Sequence, residues 1–210
     1  EDLAAMASLP IVGMLFPKVE SAQQVSAILS ALDQAGGAHL PIWLMIETPR
    51  GVLDVREIAA SSPRIAALVM GTSDLVKELR AEHTPQRHNI SYALQHSVLA
   101  AREAGVDILD GVHLDFRNME SFQMACEQGR AMGFDGKTLI HPSQIEAANA
   151  AFGYLPEAVE DARAVMAVWQ QAQAEGKGVA VLDGRLIENL HAVEAERVLA
   201  FAEALAGRRD

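Results

Sequence analysis

The sequence predicts an α/β fold built on a parallel sheet, and three observations support that prediction. Short apolar runs beginning near residues 11, 41, 66, 106 and 137 alternate with helix-length amphipathic stretches, the rhythm of βα units. No hairpin signal joins consecutive runs, so each return crosses over and the strands run parallel. No glycine-rich dinucleotide fingerprint or Walker loop follows any strand, which favours a barrel over a nucleotide-binding doubly wound sheet. A closed TIM (β/α)8 barrel takes about 250 residues. The expectation is therefore a barrel lacking its first three strands over residues 1–150, followed by a C-terminal helical lid or oligomerisation extension over 151–210.

The elements follow in order. Leu3–Ala7 is a short helical stretch, and Ile11–Phe16 is a continuous apolar run, the profile of a strand buried on both faces. Ser21 with Gln24 three residues on opens a helix whose apolar face is Val25, Ile28, Leu29 and Leu32, and Gly36-Gly37 stops it. Strand Pro41–Ile46 comes next, then Thr48 as N-cap and Pro49 at the first helical position. Strand Ala66–Met70 leads into Gly71-Thr72-Ser73 at the head of another helix. Residues 80–89 are polar with Pro85 and read as an excursion above the strand ends. A helix over 90–104 ends at Gly105, and strand Val106–Val112 is interrupted by Asp107 and Asp110. Helix Met119–Met132 stops at Gly133, and Lys137–Ile140 is a last short strand before His141-Pro142-Ser143. Beyond Ile145 the period turns helical: 147–151, then 157–175, an extended run over 177–182 reaching Asp183-Gly184, and an amphipathic helix over 191–206.

Half of the 210 residues are apolar, enough for one sizeable core, and the formal net charge is −11. That charge argues against nucleic acid and anionic membranes as main partners, since both need a basic face. The one cysteine, Cys126, excludes an intrachain disulfide and sits on an apolar helix face, as buried filler does. With no membrane-length apolar run and no signal peptide, a cytoplasmic protein is expected. The chain begins with Glu rather than Met and is expected to start part-way into a longer protein.

Glu47 and Asp74 each follow an apolar strand, at the rim where parallel α/β folds keep their ligands. Two carboxylates one repeat apart can hold an octahedral cation such as Mg²⁺, with positions left for substrate oxygens. Each can equally be a helix N-cap. The backbone N–H groups of Gly71, Thr72 and Ser73 can cradle a carboxylate or phosphate oxygen. Arg50 can meet an anionic substrate group or a surface carboxylate, and Lys18 can balance Glu47 or meet substrate. Asp183, before Gly184, reads from spacing alone as a turn residue.

Leu15-Phe16-Pro17-Lys18-Val19-Glu20-Ser21, Ile46-Glu47-Thr48-Pro49-Arg50-Gly51, Gly71-Thr72-Ser73-Asp74-Leu75, Gly111-Val112-His113-Leu114-Asp115, the run from Gly133 to Gln144 and Asp183-Gly184 together resemble the citrate lyase β-subunit-like family. This is the group of CoA-ester lyases, within the HpcH/HpaI aldolase superfamily, that includes malyl-CoA and citramalyl-CoA lyases. The resemblance implies a TIM barrel that cleaves or condenses a 3-hydroxyacyl-CoA of malyl, citramalyl or citryl type, giving an acyl-CoA and a 2-oxo acid. It implies Mg²⁺ on Glu47 and Asp74, the oxo-acid carboxylate on the backbone of Gly71 to Asp74, and a homo-oligomer, trimer or hexamer. In that arrangement Asp183 completes a neighbouring subunit's site as the proton-transfer residue. Family members carry three earlier strands, bearing CoA contacts and an arginine that supports the carbonyl oxygen, and these lie outside this sequence. A malyl-CoA thioesterase using the same site, or a non-catalytic lyase-complex subunit, is the alternative.

Overall fold

In the computed structural model, which describes residues 2–207, the first unit ends at Phe152 and the second begins at Gly153. The first opens with α1 (Asp2–Ala7) and then alternates: β1 (Met14–Phe16), α2 (Ala22–Gln34), β2 (Ile42–Ile46), α3 (Pro49–Leu53), α4 (Val55–Ala59), β3 (Ile65–Met70), α5 (Thr72–Glu78), α6 (Ser91–Ala104), β4 (Asp107–Asp110), α7 (Met119–Met132), β5 (Gly136–Lys137) and α8 (Ile145–Phe152). The five strands form one parallel sheet in the order β1-β2-β3-β4-β5. Among the described residues it is open, β1 and β5 being its edges, so a parallel α/β architecture is present and closure into a barrel is not.

Local chemistry explains the elements. Ser21 Oγ accepts from Gln24 N at 3.2 Å, and Gln24 Oε1 accepts from Glu20 N at 2.9 Å, closing the start of α2 from both sides. A cap of this kind is worth about 1 kcal/mol. Ile42, Leu44, Ile46, Leu68, Met70 and Ile108 are essentially inaccessible and pack with Val25, Leu32, Val55, Ile58 and Leu94 from the helices. Under the sheet's opposite end, Arg64 bonds Asp33 and donates to the Gly37 and Leu40 carbonyls, tying the end of α2 to the start of β3.

Three strands of the sheet are more than a residue shorter than the sequence predicts, β4 among them, which spans Asp107–Asp110 where the sequence predicts 106–112. The run from Ile11 pairs only from Met14, whose N–H donates to Pro41 O at 3.1 Å. The residues before it have no neighbour to pair with, because β2 starts only after Pro41, and Val12 is 90% exposed. The last strand pairs at Gly136 and Lys137, so only the first residue of the predicted run over 137–140 is in it, because β4 itself ends at Asp110 and the chain turns toward His141-Pro142.

The second unit contains α9 (Pro156–Ala174), β6 (Ala180–Leu182), β7 (Arg185–Ile187) and α10 (Asn189–Ala206). Ala162, Val165 and Trp169 of α9 pack with Ile187 and with Ala192, Ala195 and Val198 of α10. The sequence reading has a single extended run here. The structure has an antiparallel hairpin, Leu182 opposite Arg185, with Asp183 and Gly184 as its two-residue turn. Among the described residues no helix is long and apolar enough to cross a membrane.

Candidate functional site

The sheet register brings the two predicted acids together. Ile46 pairs with Met70, and the ladder continues one step further as Gly71 N donates to Ile46 O at 2.9 Å. Glu47 therefore stands beside Gly71, with Asp74 on the first turn of α5. A Cβ added to Gly71 would lie 2.3 Å from Glu47 Cβ and 2.5 Å from its Oε2, so the glutamate side chain occupies the space that glycine leaves. Glu47 is 5% exposed. Its Oε1 accepts from the backbone N–H of Lys18 at 2.9 Å. Lys18 reaches that position in the left-handed region, φ +52°, which a non-glycine side chain seldom adopts. The backbone of Lys18 thus holds the acid, while its ammonium is left at the exposed rim.

Burial pushes the Glu47 carboxyl above its ordinary value of 4.5. The Lys18 N–H draws it back, and the charge of Asp74 together with a hydrogen bond between the two side chains raises it again. Two acids crowded this way favour either a shared proton or a cation. Thr48 caps α3 directly behind Glu47, its Oγ1 accepting from Gly51 N at 3.0 Å. Gly71 is the N-cap of α5 and offers no side chain, so the first N–H groups of that helix lack intrahelical acceptors. Ser73 Oγ is buried without a partner among the described residues. Among the described residues no three His, Cys, Asp or Glu side chains cluster as a metal cage. Two adjacent carboxylates nevertheless fit a hard divalent cation that takes its other ligands from water and substrate.

Replacing Gly71 by Ala should displace Glu47 and cost about 1–3 kcal/mol of stability, since the contact is with a buried side chain that has little room to yield. Urea denaturation would measure it, and an unchanged midpoint would show that Glu47 is not seated as described.

Arg50 is brought to the same end of the sheet, yet its side chain is 71% exposed and its nearest partner is Asp54 at 3.8 Å. Asp183 lies in the second unit, exposed at the tip of the β6–β7 turn. Asp183 at φ +49° and Gly184 at φ +77° give the paired left-handed geometry of a two-residue hairpin loop. Cys126 is fully buried, and burial pushes its thiol up to about 11, which makes it inert packing rather than a nucleophile.

A second cluster was not singled out in the sequence. Asp110, wholly inaccessible at the end of β4, accepts from Arg87 Nη1 at 2.7 and 2.9 Å and from Lys137 Nζ at 2.8 Å. Its Oδ1 also accepts from Gly111 N at 2.8 Å. A Cβ on Gly111 would stand 2.3 Å from Thr72 Oγ1, so this cluster braces the segment that carries Thr72, Ser73 and Asp74. The signal was available: an acid interrupting an apolar strand needs a buried partner.

With the geometry established, comparison with known proteins identifies relatives. Residues 1–142 match the family model described as HpcH/HpaI aldolase/citrate lyase. A (3S)-malyl-CoA thioesterase from Cereibacter sphaeroides is 46% identical over 208 residues, 99% of this chain and 71% of that protein. A citrate lyase subunit beta from Escherichia coli is 32% identical over 200 residues, 92% of this chain and 66% of that protein. Among solved structures, protein CitE from Mycobacterium tuberculosis in complex with magnesium, acetoacetate and coenzyme A aligns with a TM-score of 0.71 at 29% identity, covering 96% of this chain and 72% of that one. A citrate lyase from Burkholderia xenovorans LB400 aligns with a TM-score of 0.80 at 22% identity, covering 97% and 67%, a likeness of fold alone.

Proposed function

The chain belongs to the HpcH/HpaI aldolase/citrate lyase family, and on that premise we propose that it acts on the CoA thioester of a small 3-hydroxy acid, malyl-CoA in the first instance, at a Mg²⁺ site formed by Glu47 and Asp74. The observation that carries this reading is the pairing of those two carboxylates at the ends of β2 and β3, Glu47 being raised in pKa by its burial and then by Asp74. The magnesium-bound CitE structure supports the choice of metal. When bound, the ion would act as a Lewis acid on a substrate oxygen.

The residues of the chain do the rest. Glu47 and Asp74 hold the ion, and the backbone of Gly71, Thr72 and Ser73 with Ser73 Oγ receives the carboxylate of the acid portion. Arg50, at most loosely tied to Asp54, and Lys18 meet anionic groups at the rim. Asp183 moves the proton. The first unit serves as the catalytic body, an arc of a (β/α)8 barrel: among the described residues consecutive strands are neighbours throughout, with none of the order reversal that marks a doubly wound sheet. The second unit serves as a lid on a neighbouring subunit in a homo-oligomer. A buried, unpaired cysteine suits a cytoplasmic setting.

Two reactions fit this site. Hydrolysis adds water to the thioester carbonyl and releases free CoA and malate; the name of the 46% identical relative favours it. Carbon–carbon cleavage takes the hydroxyl proton, breaks the bond to the thioester α-carbon, and returns a proton to that carbon, giving acetyl-CoA and glyoxylate. The citrate lyase relatives favour this second reading.

Malyl-CoA turnover would be followed by thiol release and by 2-oxo acid formation, with Mg²⁺ and with a chelator. Mg²⁺-dependent thiol release is expected, and Glu47→Gln should abolish it. Neither product in the presence of Mg²⁺ would refute the assignment. The same variant carries a pH signature. Because the folded carboxyl is raised above 4.5, its ionisation costs the metal-free fold. Its stabilising contribution is present below 4.5 and lost as pH rises through the folded value. Glu47→Gln should therefore flatten the decline in metal-free melting temperature above pH 4.5.

A further inference from the structure

Beside the rim, between the 82–90 segment and α7, lies a cavity of about 480 Å³ that touches Thr72 but is not lined by Glu47 or Asp74. Arg87 and Lys137 line it, and both are bonded to Asp110. The Lys137 and Arg87 side chains are 1% and 13% exposed, and Asp110 is fully buried. Two cations, one buried and one nearly so, thus share one buried carboxylate, leaving a net positive charge beside the cavity. Lys137 Nζ and Arg87 Nε are satisfied by the Gly111 carbonyl and by Gln128 Oε1. Arg87 Nη2 is buried and has no partner among the described residues. The carboxylates that also line the cavity, Glu82 and Asp115, belong to exposed residues where solvent screens them.

Burial lowers the pKa of Lys137, and Arg87 lowers it further against the pull of Asp110. His113, on the same wall, is lowered by burial, then by Lys137 and Arg87, against Asp115. The remaining wall is hydrocarbon: Val76, Ile90, Val112, Met124 and Ala125.

We propose that this cavity binds a small aliphatic carboxylate, with the head group on the Arg87 guanidinium and the chain along the apolar wall. One negative charge offsets the surplus of the Arg87–Asp110–Lys137 cluster, whereas a dianion such as phosphate would overcompensate it and leave the apolar wall bare. The inference stands on this cluster and not on the metal site.

Titration calorimetry on the metal-free protein with hexanoate, and with hexanol as the neutral molecule of equal length, tests it. Hexanoate should bind about tenfold or more tightly than hexanol, the worth of a charge-assisted hydrogen bond. Met124→Glu, at a half-exposed position that leaves the cluster intact, should weaken hexanoate about tenfold. Arg87→Met should weaken it at least as much, and Glu47→Gln should leave it unchanged. Equal affinity for the two probes, no binding of hexanoate at millimolar concentration, or binding lost in Glu47→Gln and kept in Met124→Glu and Arg87→Met, would overturn the proposal.

Discussion

With Asp183 replaced by Asn, turnover of malyl-CoA is expected to fall about 10²- to 10⁴-fold with little change in KM, the loss of a general acid–base group. The substitution isolates chemistry from shape. Asn tolerates the left-handed backbone that Asp183 adopts, φ +49°, and keeps a side-chain carbonyl for local turn bonding. The hairpin between β6 and β7 should therefore fold as before, and only the proton-carrying capacity disappears. A turn residue without a chemical role predicts the opposite, near-unchanged turnover. If Asp183 serves a neighbouring subunit, mixing Asp183→Asn with Glu47→Ala protein should restore part of the activity, because some mixed sites hold both intact residues. Full turnover by Asp183→Asn would remove the residue from the mechanism. Failure of complementation alone would remove only the cross-subunit part of the assignment.

The second large effect is on stability. Asp110→Ala should cost about 3–5 kcal/mol, because it strands the buried Lys137 and Arg87 charges without their shared carboxylate. The sign of its pH dependence follows from Lys137, whose pKa burial already depresses below the ordinary 10.5. A folded lysine that resists protonation penalises the fold at low pH, so the deficit of the variant should shrink as pH rises toward 10.5. The Arg87 guanidinium loses the same carboxylate, so part of the deficit should persist. Urea midpoints of the wild type and the variant across pH 7 to 10 would measure both, and a deficit under about 1 kcal/mol would mean that the cluster is hydrated rather than buried.

Much of the fold was legible where one local rule decides. Ser21 with Gln24, Thr48 with Pro49, and the glycines after α6 and α7 mark helix ends through chemistry within a few residues. Glu47 and Asp74 were legible because strand ends in parallel sheets converge. The Arg87–Asp110–Lys137 cluster was not, since its members come from a loop, a strand end and a two-residue strand, and only tertiary packing pairs them. The hairpin lay between these cases. Asp183-Gly184 was recognised as a turn after an extended run, but the helical period that follows masked the extended run Arg185–Ile187 that answers it. Lys18 illustrates a third limit, because the sequence displays its ammonium while the structure uses its amide.

Consider finally the hydrogen bond from Gly71 to Ile46 that carries the sheet ladder past Met70. Adjacent strands lie about 4.8 Å apart whatever their sequence, so Glu47 and the turn bearing Asp74 start one lattice step from each other. The sheet acts as a ruler for the pair. No loop has to be gathered when a ligand arrives, and the entropy of placing these acids is spent when the core forms. Binding at such a site should draw on enthalpy and water release rather than on chain ordering.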